Sequence, residues 1–420
     1  MKLLFLTPQL PYPPQKGTTI RNYNLIRQLA RRHEVHLLSF VQGEDDLAWV
    51  PELRQYCHSI DTVLAPQRSP LRRAWTVLSS PLPDMALRLP SAEYQTKLAD
   101  LLEREEFDVV QIEGIEMAQY GLALAAGHQS PDSHRPCLVF DDHNAEYVLQ
   151  KRAWEIDRRY PAKWHRALYS LIQWRKLQRY EAQVCQAMDA VVAVSAADCR
   201  ALQRIVPGVA VAVVPNGVDS IRFALPIAGQ PVGKDKIRHM ASLVFTGTMD
   251  FRPNIEADSW FCQAILPRIK KEVFHVHFYI VGKSPPPEVR RLGDNPAVTV
   301  TGYVEDIRPY IAQSLIYVVP MRMGSGTKLK VLQAMAMGTP VIATSTGAEG
   351  IEVTPGEDIL IADEPADFAQ QVIGLLNDAP LRQRLAQRGR QLMEAQYDWT
   401  SIAPRLEQVY EMAMTRYAAS

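Results

Sequence analysis

At 420 residues the chain is too long for one ordinary hydrophobic core and implies two domains of about 200 residues each. With 47% hydrophobic and 22% charged residues it has the composition of a soluble globular protein, and a formal net charge of zero gives no electrostatic basis for binding nucleic acid. Five scattered cysteines, odd in number and without a Cys-x-x-Cys pair, argue against a disulfide framework or a zinc site and fit a reducing compartment.

The opening Met1-Lys2-Leu3-Leu4-Phe5-Leu6-Thr7-Pro8 is too short for a signal peptide and reads as a buried first strand. Further apolar runs follow at 34–40, 60–65, 108–112, 138–141, 191–195 and 211–215. A second series covers 243–246, 276–282, 298–304, 316–320, 341–344 and 359–362. Most lack polar alternation, as strands of a parallel sheet covered on both faces do. Segments of helical spacing lie between them, for example Ile20, Tyr23, Ile26 and Leu29 on one face, so the units are βαβ. The series is interrupted near 223–240, where Pro226, Gly229, Pro231 and Gly233 mark an interdomain linker. A final helical pattern carries Ile402, Leu406 and Tyr410. No stretch is long enough to span a bilayer, so membrane contact is expected to be peripheral at most.

Ligands of parallel sheets bind beyond the C-terminal ends of the strands. There Pro320-Met321-Arg322-Met323-Gly324-Ser325-Gly326-Thr327-Lys328-Leu329-Lys330 joins a strand to a helix predicted to start near Thr327. Lys328 and Lys330 oppose the helix dipole unless an anion sits at that terminus, and Arg322 adds a fork suited to phosphate. The pattern predicts a diphosphate site. Asp141-Asp142-His143-Asn144 follows another strand; His143 alone reads as an ordinary loop histidine, and the two aspartates are a poor metal signal. Gly17 precedes a helix, and Thr301-Gly302-Tyr303-Val304 ends a strand; each reads as a ligand-facing backbone or as a turn. Residues 152–179, rich in Arg, Lys, Trp and Tyr, read either as a helix lying on an anionic membrane or, more commonly, as one long helix with a packed aromatic face.

From 243 to 350 the chain carries Phe245-Thr246-Gly247-Thr248-Met249, Ile280-Val281-Gly282, Val300-Thr301-Gly302-Tyr303-Val304 and Ala334-Met335-Ala336-Met337-Gly338-Thr339-Pro340-Val341-Ile342-Ala343 in order, after Val213-Val214-Pro215-Asn216-Gly217-Val218-Asp219. It resembles glycosyltransferase family 4. The resemblance implies an α/β fold of the GT-B type: two Rossmann-like doubly wound domains facing across a cleft, with a C-terminal helix crossing back. Domains are expected at 1–225 (acceptor), 240–396 (nucleotide-sugar donor) and 397–420 (the returning helix). It implies a cytoplasmic enzyme, with any membrane contact peripheral at the inner face, that moves a sugar with retention from a nucleotide-diphosphate sugar to a polysaccharide or lipid-linked acceptor, without metal or cofactor. By resemblance, Gly302, Tyr303 and Val304 would hold the base; Arg322, Lys330 and the Gly326 and Thr327 amides the diphosphate; His143 the transferring sugar; and Gly17 the donor phosphates or acceptor. Two family glutamates are replaced, one by Ser325 near the sugar and one by Gln333 near the ribose, and Lys328 or Lys330 stands in for basic residues of which only Arg252 is near its usual place. A nucleotide-sugar 2-epimerase shares the fold but needs paired cleft carboxylates that are not evident here; a non-catalytic nucleotide-binding member is the other alternative.

Overall fold

The computed structural model describes residues 1–127, 135–224, 241–324 and 326–419. The expected linker falls mostly outside these residues, as does Ser325. The chain divides into two compact units, Met1–Pro215 with Ile402–Ser420, and Asn216–Ser401.

In the first unit the strands are β1 (Lys2–Thr7), β2 (Glu34–Val41), β3 (Ser59–Leu64), β4 (Val109–Glu113), β5 (Cys137–Asp142), β6 (Ala190–Ala193) and β7 (Val211–Val213). They pair in parallel in the order β3-β2-β1-β4-β5-β6-β7. In the second unit β8 (Ala241–Thr246), β9 (Val276–Val281), β10 (Val298–Val300), β11 (Ile316–Val319), β12 (Val341–Ala343) and β13 (Leu360–Ile361) pair in the order β10-β9-β8-β11-β12-β13. Each apolar run of the sequence thus becomes a strand. Leu3, Leu4, Phe5 and Leu6 are all fully buried, which explains the missing alternation. In both sheets the order reverses beside the first strand, between β1 and β4 and between β8 and β11, and such switch points open a crevice for ligands.

Three local expectations are corrected. The run at 298–304 is a strand only to Val300; beyond it Gly302 adopts φ 72°, which breaks the extended backbone. Residues 152–179 are not one helix. Helix Glu146–Asp157 stops, Tyr160 is extended before Pro161, and helix Trp164–Ala187 starts afresh, as expected where a proline disfavours helical geometry in the residue before it. The helix Gly17–Leu29 buries Leu25, Ile26 and Leu29 but also Arg21, Asn22 and Asn24, while Ile20 and Tyr23 are only half-buried. Its inward face is partly polar because it serves a polar site rather than the core alone. The final helix Trp399–Ala419 buries Ile402, Leu406 and Tyr410, and from Ile402 onward it counts with the first unit.

Candidate active site

In the first unit the parallel register of β4 and β5 sets Glu113 beside Asp141 at the strand ends. Two residues on, His143 Nε2 lies 2.7 Å from Glu113 Oε2. A carboxylate only accepts, so Nε2 carries the proton and Nδ1 is the nitrogen left for a ligand. Glu113 is fully buried and also accepts from Asn22 at 2.8 Å and from Gln111 Nε2 at 3.2 Å. Arg21, fully buried, lies on Asp141 through Nε at 2.9 Å and Nη2 at 2.8 Å, and its Nη1 donates to the Pro215 carbonyl at 3.1 Å. These bonds explain the polar face of Gly17–Leu29. Burial is the largest influence on His143 and lowers its pKa, but the hydrogen bond and charge of Glu113 outweigh it and leave the pKa raised. Burial raises Asp141 against the pull of Arg21.

Glu113, Asp141 and His143 have ligand atoms within 4.8 Å of one another, close enough to hold a metal ion. The Arg21 guanidinium already neutralises Asp141, and Asn22 and His143 use Glu113, so a cation there would compete with formed bonds. His143 lines a cavity of about 370 Å³ with Pro8, Gln9, Thr18, Gln42, Ala65, Pro66, Arg88, Leu89 and Glu116. Gly17 is the first residue of its helix, next to Thr18, and a Cβ there would meet open space. Directly behind this loop Glu181 accepts from the backbone N–H groups of Glu146 (2.6 Å) and Tyr147 (3.1 Å), capping the helix that follows His143.

In the second unit the chemistry gathers at the β8/β11 switch point. The helix after the glycine loop is Leu329–Ala336 and starts two residues later than predicted. Thr327 does not cap it, because its hydroxyl turns to the Gly350 carbonyl at 3.3 Å; Lys328 occupies the cap position without a side-chain cap. Lys330 therefore lies in the first turn. Its Nζ donates to Asn254 Oδ1 at 2.8 Å and sits 3.9 Å above the Phe245 ring. Burial lowers its pKa to about 7 against the attraction of Asp258, which is fully buried with neither carboxylate oxygen hydrogen-bonded. Gly247, just after β8, is needed here: a Cβ would come within 2.6 Å of Asn254 Nδ2 and 2.9 Å of Lys330 Nζ. A Cβ on Gly282, after β9, would fall 1.7 Å from the Gly247 carbonyl oxygen.

Arg322 lies along the helix Arg252–Trp260, paired with Glu256 through Nε at 2.8 Å and stacked 4.5 Å over Trp260. Lys328 is buried with its Nζ on the Gly326 carbonyl at 2.7 Å. Gly302 and the exposed Tyr303 line a separate cavity of about 730 Å³ with Ser284, Arg290 and Asp294, whereas Val304 packs on the core. Gln333 is half-buried just over one turn into its helix, not two. The sequence reading missed Glu113, Arg21, Asn22, Asn254 and Asp258. Glu113, a charge ending an apolar strand, and Asn254, following a proline in a first helical turn, were the available signals.

Residues 16–222 match the family described as Glycosyltransferase Family 4, and residues 241–378 the one described as Glycosyl transferases group 1. The chain belongs to glycosyltransferase family 4. Among relatives of this family 4 chain, phosphatidyl-myo-inositol mannosyltransferase of Mycobacterium leprae is 28% identical over 48% of this chain and 54% of its own length. The chain thus aligns with about half the length of that relative. In fold the family 4 chain is similar to sucrose-phosphate synthase of Thermosynechococcus elongatus (TM-score 0.69, 18% identity, 100% of both chains). It is likewise similar to the Anabaena protein HepE in complex with UDP and glucose (TM-score 0.66, 14% identity, 98% of this chain and 100% of that one). Both units are parallel-sheet α/β, as in the GT-B architecture of the family.

Proposed function

We propose that this protein is a retaining glycosyltransferase that moves a sugar from a nucleotide-diphosphate sugar to an acceptor without metal. The observation that carries the reading is Lys330, a partly buried cation at a strand-order switch point, held by Asn254 over Phe245 beside a Gly-lined strand end. Lysine there opposes the helix dipole, and an anion bound at that helix start would reverse the sign. A nucleoside diphosphate is the leaving group, and its charge grows as the glycosidic bond to it breaks, so a fixed cation acts most in the transition state. In this reading Lys330, with Arg322 and the Gly326 and Thr327 amides, receives the diphosphate; Gly302 and Tyr303 offer a surface for the base; Ser325 and Gln333 stand near sugar and ribose. His143, oriented by Glu113, would direct Nδ1 to the transferring sugar, while the cavity it lines takes the acceptor.

The acceptor is proposed to be a saccharide or a lipid-linked sugar. The Mycobacterium leprae relative is named for transfer to an inositol lipid, and HepE is held in complex with UDP, which supports a uridine donor as the first to try. A lipid-linked acceptor would bring the protein to the inner face of a membrane from the cytoplasm; no described helix is long and apolar enough to cross one. The test is a panel of nucleotide sugars with free and lipid-linked acceptors, with the anomeric configuration of the product read by NMR. A product with the donor's configuration is expected. Interconversion of the donor sugar without transfer would instead indicate an epimerase.

A further inference from the structure

Two helices of the first unit leave large apolar side chains facing outward. In Pro70–Ser79, Leu71 and Trp75 are one turn apart and 84% and 72% exposed. In Trp164–Ala187, Trp164 and Leu168 are one turn apart and 64% and 59% exposed. Tyr160, just before it, is also exposed. The helices are neighbours and are held in register. Lys176 Nζ donates to the carbonyls of Val77 (2.7 Å) and Ser80 (2.5 Å). The buried Asp84 gathers Arg68 (3.1 Å), Arg73 (2.9 Å) and the Tyr169 hydroxyl (3.5 Å). These bonds hold the two helices against each other on the side away from Leu71, Trp75, Trp164 and Leu168, which remain exposed.

The charge around this face is one-sided. Residues 151–179 hold nine Lys and Arg against two Asp and Glu, in a chain whose net charge is zero, and of these cations Arg158, Arg159, Arg166, Arg175 and Arg179 are exposed while Lys176 is turned inward. Trp164, Leu168, His165 and Arg166 share the exposed surface of their helix. Exposed tryptophan and leucine on helices whose exposed charges are cationic match the boundary between headgroups and acyl chains of an anionic bilayer. An acidic protein partner would match the cations but would not call for two separate helical turns of Trp and Leu at this exposure.

We propose that Leu71, Trp75, Trp164 and Leu168 form a docking surface that seats the protein on an anionic membrane. The proposal deepens the lipid-linked reading of the acceptor. The cavity against helix Pro70–Ser79, lined by Pro66, Arg68, Thr76 and Leu87, shares Pro66 with the cavity that His143 lines. A lipid-anchored head entering beside the docked helix would meet His143 without leaving the first unit.

The experiment is vesicle co-sedimentation of the full chain with phosphatidylcholine alone and with phosphatidylcholine mixed with phosphatidylglycerol, whose anionic headgroups attract a basic surface. Binding is expected only with the anionic lipid, and to fall at least tenfold in 0.5 M salt, roughly the ionic strength at which surface attraction is screened. Trp75→Glu with Trp164→Glu should weaken it at least tenfold while thermal unfolding and UDP binding stay unchanged; Trp75→Phe with Trp164→Phe should retain it. No partition of the wild type onto either vesicle, or undiminished partition of the Glu variant, would overturn the proposal. So would a dimer in sedimentation velocity that the same substitutions abolish, which would assign the face to a second copy. Vesicle binding requires no turnover, so failure of the nucleotide-sugar panel leaves this result standing, and the reverse also holds.

Discussion

Replacing Glu113 by Gln removes the charge that His143 leans on while keeping the shape. The buried imidazole has its pKa lowered by burial and raised more strongly by Glu113, with Asp141 adding to the rise and Arg21 opposing it. Losing a carboxylate in hydrogen-bond contact removes a shift of about 1–3 units, and each unit corresponds to about 1.36 kcal/mol. Burial then dominates, and the His143 pKa should fall below the ordinary histidine value. The amide also brings two N–H donors toward Asn22 and Gln111, which already donate, so Nε2 loses its fixed orientation. The assay is a histidine NMR titration, with His143 identified among the ten histidines by its disappearance in His143→Ala. Beside it runs the pH profile of kcat, expected to fall about tenfold or more at its optimum, in the range of general acid–base and orientation effects, with donor KM little changed. An unmoved His143 titration in Glu113→Gln, or wild-type kcat across the profile, would refute the positioning role of Glu113.

Lys330 has its pKa lowered to about 7 with no ligand present, and a bound diphosphate would favour its charged form. UDP binding should therefore take up a proton, so affinity weakens as pH rises above 7; calorimetry in buffers of different ionisation heat checks this, and Lys330→Ala should abolish it along with at least tenfold of transfer, the scale of one lost prepositioned donor. Arg21→Ala leaves Asp141 buried without its partner and should cost about 3–5 kcal/mol in urea unfolding, whereas Arg21→Leu with Asp141→Leu should recover most of it. Excess EDTA should leave transfer unchanged under the proposed diphosphate site of Lys330, Arg322 and a helix start; loss of activity restored by magnesium would turn attention to Glu113 and Asp141 as ligands.

Strand positions were legible because parallel strands buried on both faces need continuous apolar runs, and little else in a soluble chain does. The place of Lys330 in a first helical turn was also legible, and a lysine there opposes the dipole locally. The exact helix start was not. Thr327 has every local mark of a cap, but its hydroxyl is claimed by Gly350, 23 residues away, and local propensity cannot register that. The buried pair of Arg21 and Asp141 spans 120 residues, and the bond from Asn22 to Glu113 is likewise long-range. On one helix these residues read as ordinary polar surface, and only the sheet register reveals them as the frame of His143. The outward face of Pro70–Ser79 escaped notice because Leu71 and Trp75 look like any core-facing pair until burial is known.

The first unit is discontinuous: its last element, from Ile402, is encoded after the whole of the second. During synthesis the second unit can close on itself as it emerges, but the first must wait. Until the last helix arrives, Tyr410, fully buried and facing the field of Glu113 and Asp141, is missing from its place, and so is Glu407, which pairs with Arg32 (2.6 Å) and His33 (2.9 Å). The ribosome thus delivers the completing piece of the histidine's surroundings after every residue of the glycine loop before Lys330. A nascent chain halted before residue 402 would carry the glycine loop with Lys330 but an unfinished frame around His143.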